Sequence, residues 1–442
     1  METSSENTHS KVSFLLLSVF IFICALRVSV LSFEHFSGDT LNSRLSTVVA
    51  LVHEGHWDIG AHVDGAPNPF EPGSVDKVMV DGIIYSSKPP VLPLLMAAEY
   101  ALLHKGFNLS LLKEYEQPRI ATIMTVTFIV IPFVSALVVV ALWVRKNRLS
   151  TFNQGSVVLT AAFGTEMAGF SGTFNNHVPA AACLIGALYL AHRGVVEAFG
   201  NKKIEWNWIF CGLLAGLAAT IDVPTAVIAV AVGLGILWIR GNKSFGFYLL
   251  GGAVPVLLHC GVMISISGSP LPVQMDQSLY WYENAYWRIP MGIDDLHHGK
   301  GIYFLNSTVG RYGVFLLYPV TIFGLFGIVA DSVRIGKVDD VDGRIRRFSL
   351  LFLVSFGILL FYYVMRTNNY GGFSFGFRWL IAAVPVFLWG TVRFFEVSRS
   401  RFTMGVYLAA LCVSAYSVWL CQNAPWSINE EWTVRLFGEI TW

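Results

Sequence analysis

Apolar runs recur along the whole chain, separated by polar connections that are mostly short. The first run covers residues 12–33 and the second covers residues 119–144, and each is long enough to cross a bilayer as a helix. Nine further runs follow, at about 154–171, 176–192, 208–222, 223–239, 245–267, 311–333, 348–365, 379–395 and 403–420. The pattern predicts an all-α integral membrane protein with about eleven transmembrane helices, in which residues 1–442 form a single polytopic domain.

The first polar connection, residues 34–104, contains two stretches that are apolar but short. In one of them, apolar residues recur at the spacing of one helix face: Leu41, Leu45, Val48 and Val52. This spacing predicts an amphipathic helix that lies in the membrane interface. The other stretch, residues 88–104, opens with Pro89 and Pro90 and fits either a brief span or a second interfacial helix.

The positions of the basic residues decide between these two alternatives. If residues 88–104 do not cross the membrane, five basic connections fall on one side and hold sixteen of the 30 Lys and Arg residues. Because Lys and Arg are enriched in cytoplasmic connections, that side is predicted to be the cytoplasm, as is the N-terminus. Residues 34–104 then form an external loop with two juxtamembrane helices, and residues 268–310 form a second external loop.

The composition agrees with a membrane protein and excludes other classes. Of the 442 residues, 54% are hydrophobic and only 13% are charged, which is too apolar for a soluble chain of this length. The formal net charge is +1, and Lys and Arg form no stripe along a phosphate backbone, so nucleic acid is not an expected partner. Five of the six cysteines lie in apolar runs without C-x-x-C spacing, which indicates neither a disulfide framework nor a zinc site.

Asp39 lies shortly after the first predicted helix and just before the amphipathic one. At the start of a helix, Asp is a frequent cap for unpaired backbone N–H groups. A carboxylate held at the membrane surface is also suited to be a general base, which takes a proton from an acceptor hydroxyl. The residue taken alone does not distinguish the two roles.

Lys88 stands in the sequence YSSKPP, residues 85–90, where a polar loop enters an apolar segment. It is either an anchor that reaches the lipid headgroups or a fixed cation for a lipid phosphate. The two prolines restrict the backbone directly after it, which favours a pre-set position over a flexible anchor. A lysine held there would stabilise a phosphate and the charge that grows on it as it leaves.

The external segment 366–379 combines Gly371, Gly372 and Gly376 with Arg378 at the entrance to an apolar run. A bare loop would tolerate the glycines. An arginine that enters a membrane helix is costly unless it is paired, because its charge loses water there. This favours Arg378 as a second ligand of the phosphate.

Histidines and aromatic residues supply weaker candidates. His177 follows two asparagines, and helix capping or packing suits it better than ligand binding. His297 and His298 lie beside Asp294 and Asp295, which leaves a divalent metal open, although adjacent residues rarely bind one ion. Aromatic residues of the same loop fit either stacking on a sugar or a belt at the membrane surface: Trp281, Tyr282, Tyr286 and Trp287.

Together these segments resemble the GT-C glycosyltransferases, which include the protein O-mannosyltransferases and the aminoarabinose transferases of lipid A. The resemblance lies in a first span, an external loop with an early acid and a surface helix, and a K-P-P turn before a short apolar helix. The chain is also similar to bacterial members that carry D-G-x-x-Y-S-x-K-P-P, here residues 81–90, and a late G-G-x-S-x-G-x-R, here residues 371–378.

The resemblance implies a GT-C-like bundle and roles for individual residues. The acid of the first external loop is the catalytic base of such enzymes, which corresponds to Asp39. The lysine before the prolines contacts the lipid phosphate, which corresponds to Lys88. Several relatives have an acid directly before that lysine, whereas this chain has Ser87, so a metal contact through that acid is not carried over.

The sequence therefore predicts an inverting glycosyltransferase that uses a polyprenyl-phosphate sugar donor on the external, periplasmic face of the bacterial inner membrane. Asp39 is the expected catalytic base, and Lys88 and Arg378 are expected to hold the phosphate. Three further residues are expected to bind substrate: Arg44, Tyr85 and His177. The expected partners are the lipid donor, membrane lipids and an acceptor that is a lipid, a glycan or a protein; no cofactor is required by the pattern.

A transporter or flippase of a lipid-linked saccharide is the alternative. Such a protein would also need external polar loops and phosphate ligands, but it would carry polar or charged residues along a path through its spans. Few charges lie within the predicted spans, chiefly Arg27 and Glu166. This favours the enzyme.

Overall fold

The computed structural model describes residues 2–31, 38–147, 149–197, 201–283, 285–288, 297–334, 341–367, 369–398 and 400–438. For residues 2–11 and 201–204 it describes the backbone alone. Helices predominate in these ranges.

The α-helices follow one another as α1 (Glu2–Leu31), α2 (Asp39–Val49), α3 (Val91–Phe107), α4 (Gln117–Thr125), α5 (Ile131–Val144), α6 (Thr151–Phe163), α7 (Glu166–Gly169), α8 (His177–Val196), α9 (Asn201–Ile221), α10 (Ala226–Arg240), α11 (Asn242–Ser267), α12 (Lys300–Thr308), α13 (Val314–Leu317), α14 (Val320–Ser332), α15 (Val341–Arg366), α16 (Val384–Val397), α17 (Arg401–Asn423) and α18 (Val434–Phe437). Two short antiparallel hairpins lie between α2 and α3: β1 (His62–Val63) with β2 (Ala66–Pro67), and β3 (Lys77–Val80) with β4 (Ile83–Ser86). The described ranges also contain eight short turns of 3-10 or π type: Ala50–Glu54 after α2, Glu114–Glu116, Val126–Val130 between α4 and α5, Val223–Thr225, Val273–Met275, Gln277–Tyr280, Tyr286–Arg288 and Arg378–Ala383 before α16.

Eight helical segments of the described ranges are long and apolar enough to cross a membrane: Val12–Leu31, Glu114–Val144, His177–Val196, Val223–Arg240, Asn242–Ser267, Val341–Arg366, Arg378–Val397 and Arg401–Asn423. Two shorter apolar helices accompany them: Glu205–Ile221 and Val320–Ser332. Each of the eleven apolar runs read from the sequence overlaps one or more helices, and the run 154–171 divides into α6 and α7. The all-α membrane fold is thus confirmed, while the count of eleven spans stays a prediction.

Glycines allow the closest helix crossings in the bundle. A Cβ atom on Gly212 of α9 would lie 1.8 Å from the carbonyl oxygen of Tyr248 on α11, which no side chain could tolerate. Likewise, a Cβ atom on Gly327 of α14 would lie 2.0 Å from the carbonyl oxygen of Gly390 on α16. Small residues at such crossings let two membrane helices pack backbone against backbone. These contacts hold the helices whose ends carry the polar loops.

The two ends of the bundle differ in charge. At one end the basic connections contact acids near helix ends: Lys146 pairs with Glu197, and Lys243 Nζ lies 3.0 Å from Glu205 Oε1. At the opposite end, α1 finishes, α8 begins and the Arg378 turn leads into α16. The orientation predicted from the basic residues makes the first end cytoplasmic and the second external.

The described part of residues 34–104 contains more than two helices. Between α2 and α3, the β3–β4 hairpin turns at Asp81 and Gly82, which have φ angles of +51° and +83°. Asp-Gly favours this left-handed turn because Asp and Gly adopt positive φ angles at low energetic cost. The turn also matches the twist of the strands. The pairing of Lys77 with Ser86 then fixes the strand register.

Helix α2 is covered on both faces, which differs from the expected interfacial helix. Its apolar residues Leu45 and Val48 are buried, as predicted, but Ser43, Arg44 and Thr47 are buried too. The polar face meets the rest of the loop instead of water: Ser43 donates a hydrogen bond to the backbone oxygen of Asp76 at 2.7 Å. An amphipathic pattern shows that the two faces of a helix have different surroundings. Here the polar face is covered by other residues of the protein and not by water.

Candidate active site

The β3–β4 hairpin brings Asp76 to Lys88. These residues flank the two ends of the hairpin, and Ser87 donates its backbone N–H to the carbonyl oxygen of Asp76 at 3.0 Å. Lys88 Nζ lies 2.8 Å from Asp76 Oδ2, with both side chains mostly buried. The lysine therefore does not act as a simple anchor in the headgroups, because a carboxylate holds it in place.

The first turn of α2 packs against the same carboxylate. Thr40 Oγ1 donates to Asp76 Oδ2 at 3.2 Å. Asp39, directly before it, is exposed and is the first residue of the helix, after Gly38. The backbone N–H groups of Val75 and of Asp39 itself favour the ionised form of its carboxylate. The charges of Asp76 and Lys88 act on the same carboxylate, so Asp39, Asp76 and Lys88 lie close together.

Arg378 reaches the site from the far end of the sequence. It follows the glycine loop (residues 371–377), in which Gly371, Gly372 and Gly376 all have positive φ angles, a conformation that glycine adopts without strain. The guanidinium carbon of Arg378 lies 4.9 Å from the ring centre of Trp426, so the tryptophan face supports the cation.

A buried network of hydrogen bonds begins at Arg44. Its Nη1 donates to the carbonyl oxygen of Thr40 at 2.8 Å, and its Nη2 donates to Asn176 Oδ1 at 3.0 Å. Asn176 in turn donates to Asp222 Oδ1 at 2.9 Å, and the other oxygen of Asp222 lies 2.8 Å from His177 Nδ1. This network joins α2 to the start of α8 and to the turn between α9 and α10.

Three cations act on Asp76. Burial alone would raise the pKa of this carboxyl, but Lys88, Arg378 and Arg44 outweigh burial and hold the pKa below its ordinary value. Burial lowers the pKa of Lys88, and the charges of Arg44 and Arg378 lower it further, against the opposing pull of Asp76. The cations are therefore close enough to repel one another, and an additional anion among them would relieve that repulsion.

The pKa of Asp39 is raised above its ordinary value. Loss of hydration is the largest cause, and the negative charge of Asp76 adds to it, while the N–H of Val75 and the charge of Lys88 act in the opposite direction. A carboxylate with a raised pKa is a stronger base. The site thus combines an accessible base, Asp39, with cations that are buried or largely buried.

The other predicted substrate residues lie at different depths. Tyr85 lines a small pocket together with Lys88, Trp57 and Met263, so it is beside the lysine. Arg44 is completely buried, with 0% of its surface exposed, and it reaches a ligand only through its neighbours. His177 is buried against Asp222. The structure therefore brings Asp39, Lys88, Tyr85 and Arg378 to one region and places Arg44 and His177 beneath it.

The described ranges contain no group of three or more His, Cys, Asp and Glu side chains that could hold a metal ion. His298, considered above as a metal ligand, has its Nδ1 2.9 Å from the hydroxyl of Tyr370. Asp294 and Asp295, its expected companions, lie outside the described residues. In the first loop Asp76 is engaged by Lys88 and Thr40.

Sequence reasoning missed Asp76 as a member of the site. The Asp81-Gly82 dipeptide, which stands between the apolar triplets 78–80 and 83–85, is a strong hairpin signal. A hairpin centred there places residue 76 opposite residue 87, next to the lysine. Asn176 and Asp222 carry no comparable signal, because their pairing depends on how α8 and α9 pack.

Comparison with solved structures identifies the fold. The chain superposes on the oligosaccharyltransferase of Archaeoglobus fulgidus in its apo form with a TM-score of 0.54 and 14% identity, over 94% of this chain and 56% of that one. The chain has a GT-C fold. This confirms the fold expected from the resemblance noted in the sequence.

Two further structures of the Archaeoglobus enzyme agree. Its complex with zinc and sulfate matches with a TM-score of 0.52 and 13% identity, over 92% of this chain and 53% of that one. Its form tethered to an acceptor peptide with the sequon NVT matches with the same TM-score and identity, over 92% and 55%. The chain described here thus spans little more than half the length of these structures. No protein-family model and no curated protein matches its sequence.

Proposed function

We propose that the protein is a glycosyltransferase that takes a sugar from a polyprenyl-phosphate donor, with inversion at the sugar carbon. The observation that carries this proposal is the convergence of Arg44, Lys88 and Arg378 on Asp76, beside the accessible carboxylate of Asp39. Cations gathered at one end of a membrane bundle suit a lipid phosphate, which stays in the headgroup plane. A neighbouring base suits the activation of a hydroxyl or amide acceptor.

In the proposed reaction, Asp39 takes the proton from the acceptor as the acceptor atom attacks the anomeric carbon of the sugar. The bond between that carbon and the phosphate oxygen breaks, and its electron pair leaves with the polyprenyl phosphate, which gains one negative charge. Lys88 and Arg378 stabilise that charge because they are already held in place and only partly hydrated. Attack from the side opposite the leaving group inverts the configuration.

The remaining predicted residues take supporting roles in this proposal. Tyr85 contacts the donor beside Lys88, in the pocket that they share. Arg44 acts from below, since it holds the carbonyl oxygen of Thr40 and thereby the helix turn that presents Asp39. His177, through Asp222 and Asn176, keeps Arg44 in position.

The external face of the bacterial inner membrane is the proposed location of the reaction. It follows from the basic connections at the opposite end of the bundle, which the positive-inside rule assigns to the cytoplasm. The Archaeoglobus protein is an oligosaccharyltransferase, and one of its structures carries an acceptor peptide. That likeness supports a transferase on the same fold, while the donor and acceptor proposed for this chain rest on its own site.

The decisive experiment measures sugar transfer by the purified full chain from a synthetic polyprenyl-phosphate sugar, with mass spectrometry of the lipid that co-purifies. Wild-type protein should release polyprenyl phosphate, and Asp39→Asn should lower the rate by about a hundredfold or more, because a positioned base contributes that much. Asp64→Asn is the matched control, because this exposed acid of the same loop pairs with His53 and lies outside the site. Full activity of Asp39→Asn would remove this residue from the mechanism.

In the same assay, the transfer rate should depend on pH in a defined direction. A base must be ionised, so the transfer rate should fall as the pH drops through the raised pKa of Asp39, and it should level off above it. Vesicles containing the protein that move intact lipid-linked sugar across the bilayer, with no transfer product, would instead favour a flippase.

A further inference from the structure

Glu431 belongs to a segment that follows the last long helix and contacts the loop that carries Arg378. Its side chain is only 2% exposed, and Oε1 accepts the backbone N–H of Gly376 at 3.0 Å. Its second oxygen is buried and has no hydrogen-bond partner among the described residues. Burying a carboxyl group that has only one hydrogen-bond partner costs free energy of folding. This cost points to a role for the bond that the carboxyl makes.

Gly376 is the residue through which this bond acts. It has a φ angle of +65° and lies two residues before Arg378. A Cβ atom at Gly376 would come within 3.0 Å of Leu317 and 3.3 Å of Glu166 Oε1. The chain therefore passes through a narrow gap here, and the N–H of Gly376 is directed at Glu431 just before the turn that begins at Arg378.

The C-terminal segment (residues 424–438) holds the glycine loop at two more points. Pro425 accepts the backbone N–H of Phe375 at 2.9 Å, and Trp426 supports the guanidinium of Arg378. Trp426 is itself fixed, because its ring N–H donates to Thr173 at 2.9 Å. Arg378 thus receives its direction largely from this segment.

The segment is in turn fixed to the bundle through Arg311, which is 5% exposed. Its guanidinium donates to the carbonyl oxygens of Ile428 and Gly438 at 2.5 and 2.6 Å, and Thr433 donates back to the carbonyl oxygen of Arg311 at 2.7 Å. Glu431 lies between these anchored residues. It can therefore act as a firm support for the glycine loop.

We propose that Glu431 is a positioning residue for Arg378: its carboxyl oxygen holds Gly376 in the left-handed conformation from which the chain presents the guanidinium to the lipid phosphate. The proposal rests on the proposed function, because the phosphate is the ligand assigned there to Arg378. What the position requires is a hydrogen-bond acceptor of this length and not a negative charge. Burial raises the pKa of Glu431 to about 7, so the bond is made with the side chain neutral for part of the physiological range.

Binding of a radiolabelled polyprenyl phosphate to the purified full chain in detergent tests this. Glu431→Leu, which has a similar size and no acceptor, should raise the Kd about tenfold, the effect of losing one buried hydrogen bond that orders a ligand group. Glu431→Gln keeps the acceptor and should stay within about twofold of wild type. Glu430→Leu is the matched control, because Glu430 is the exposed neighbour and should leave the Kd unchanged.

A double-mutant cycle separates positioning from a general structural role. Arg378→Gln should weaken binding by itself, and adding Glu431→Leu to it should change the Kd by less than about twofold, since Glu431 acts through Arg378. Additive losses would overturn the proposal. If Glu431→Leu does not fold, Glu431→Asp replaces it: its shorter side chain should weaken binding while Glu431→Gln does not, and equal affinities of the two would overturn the proposal as well.

The two proposals fail in different ways. Absence of polyprenyl-phosphate binding by the wild-type protein would contradict the proposed function. Normal binding by wild type, weakened by Lys88→Ala and Arg378→Gln but unchanged in Glu431→Leu, would overturn the role of Glu431 alone.

Discussion

Two buried carboxylates lie among cations at opposite ends of the bundle, and their surroundings are very different. Asp331 on α14 accepts two hydrogen bonds of 3.0 Å from Arg393 on α16 and a third of 2.7 Å from Ser349 on α15. Trp389 closes this cluster by donating to Ser349 at 3.0 Å. Arg393 also pairs with Glu396, and Arg346 Nε lies 3.6 Å from Asp331, so this buried cluster ties three helices together.

Asp76 is bound directly by one cation, Lys88, while Arg44 and Arg378 act on it from greater distance. The Lys88 side chain is 21% exposed, whereas that of Arg393 is 8% exposed. Near Asp76, Asp222 is engaged by Asn176 and His177, and Asp39 lies at the surface. The comparison teaches that a closed ion pair stabilises the fold, whereas cations that share one carboxylate and stay accessible are arranged for a ligand.

The largest expected effect is on stability at the Asp331 end. Asp331→Asn removes the carboxylate that Arg393 and Arg346 share in a buried cluster, and breaking a buried ion pair costs about 3–5 kcal/mol. Thermal unfolding in detergent should show a large loss, with the affinity for polyprenyl phosphate unchanged in the folded fraction. If Asp331→Asn is as stable as wild type, the cluster around Asp331 does not stabilise the fold.

Lys88→Ala should have the next largest effect, and on binding. Removal of the ammonium should raise the Kd for polyprenyl phosphate by about tenfold or more, because a charge-assisted contact to phosphate is lost. Lys77→Ala is the matched control on the same hairpin, since Lys77 pairs with Glu71 at 2.6 Å and lies outside the site. Equal effects of the two substitutions would count against a specific role for Lys88.

Asp76→Asn should have the smallest effect, and in the opposite direction. With the carboxylate neutralised, the three cations lose their shared counter-charge, so polyprenyl phosphate should bind severalfold more tightly and leave more slowly. Equilibrium binding and the rate of product release measure this. Weaker binding would instead show that orientation of Lys88 by Asp76 matters more than the charge.

Much of the fold could be predicted, because the physics that selects membrane helices is local. A run of about 20 apolar residues is decided by its own composition, so the helices fall where the apolar runs lie. The glycines before Arg378 also have the positive φ angles that favour glycine. The first loop was predicted less well: its helices were found, but its hairpins and the burial of the polar face of α2 were not.

By itself, the sequence determined the class of protein, the ends of the helices at which polar groups collect, and Asp39, Lys88 and Arg378 as candidates. Only the tertiary structure placed Asp76 between them, connected Arg44 to Asp222, and brought Glu431 to the backbone of Gly376. The reason is that apolar patterning is an average over many neighbouring residues, whereas a site depends on single contacts between distant segments. Those contacts are specified by how the helices pack, which no local stretch of residues records.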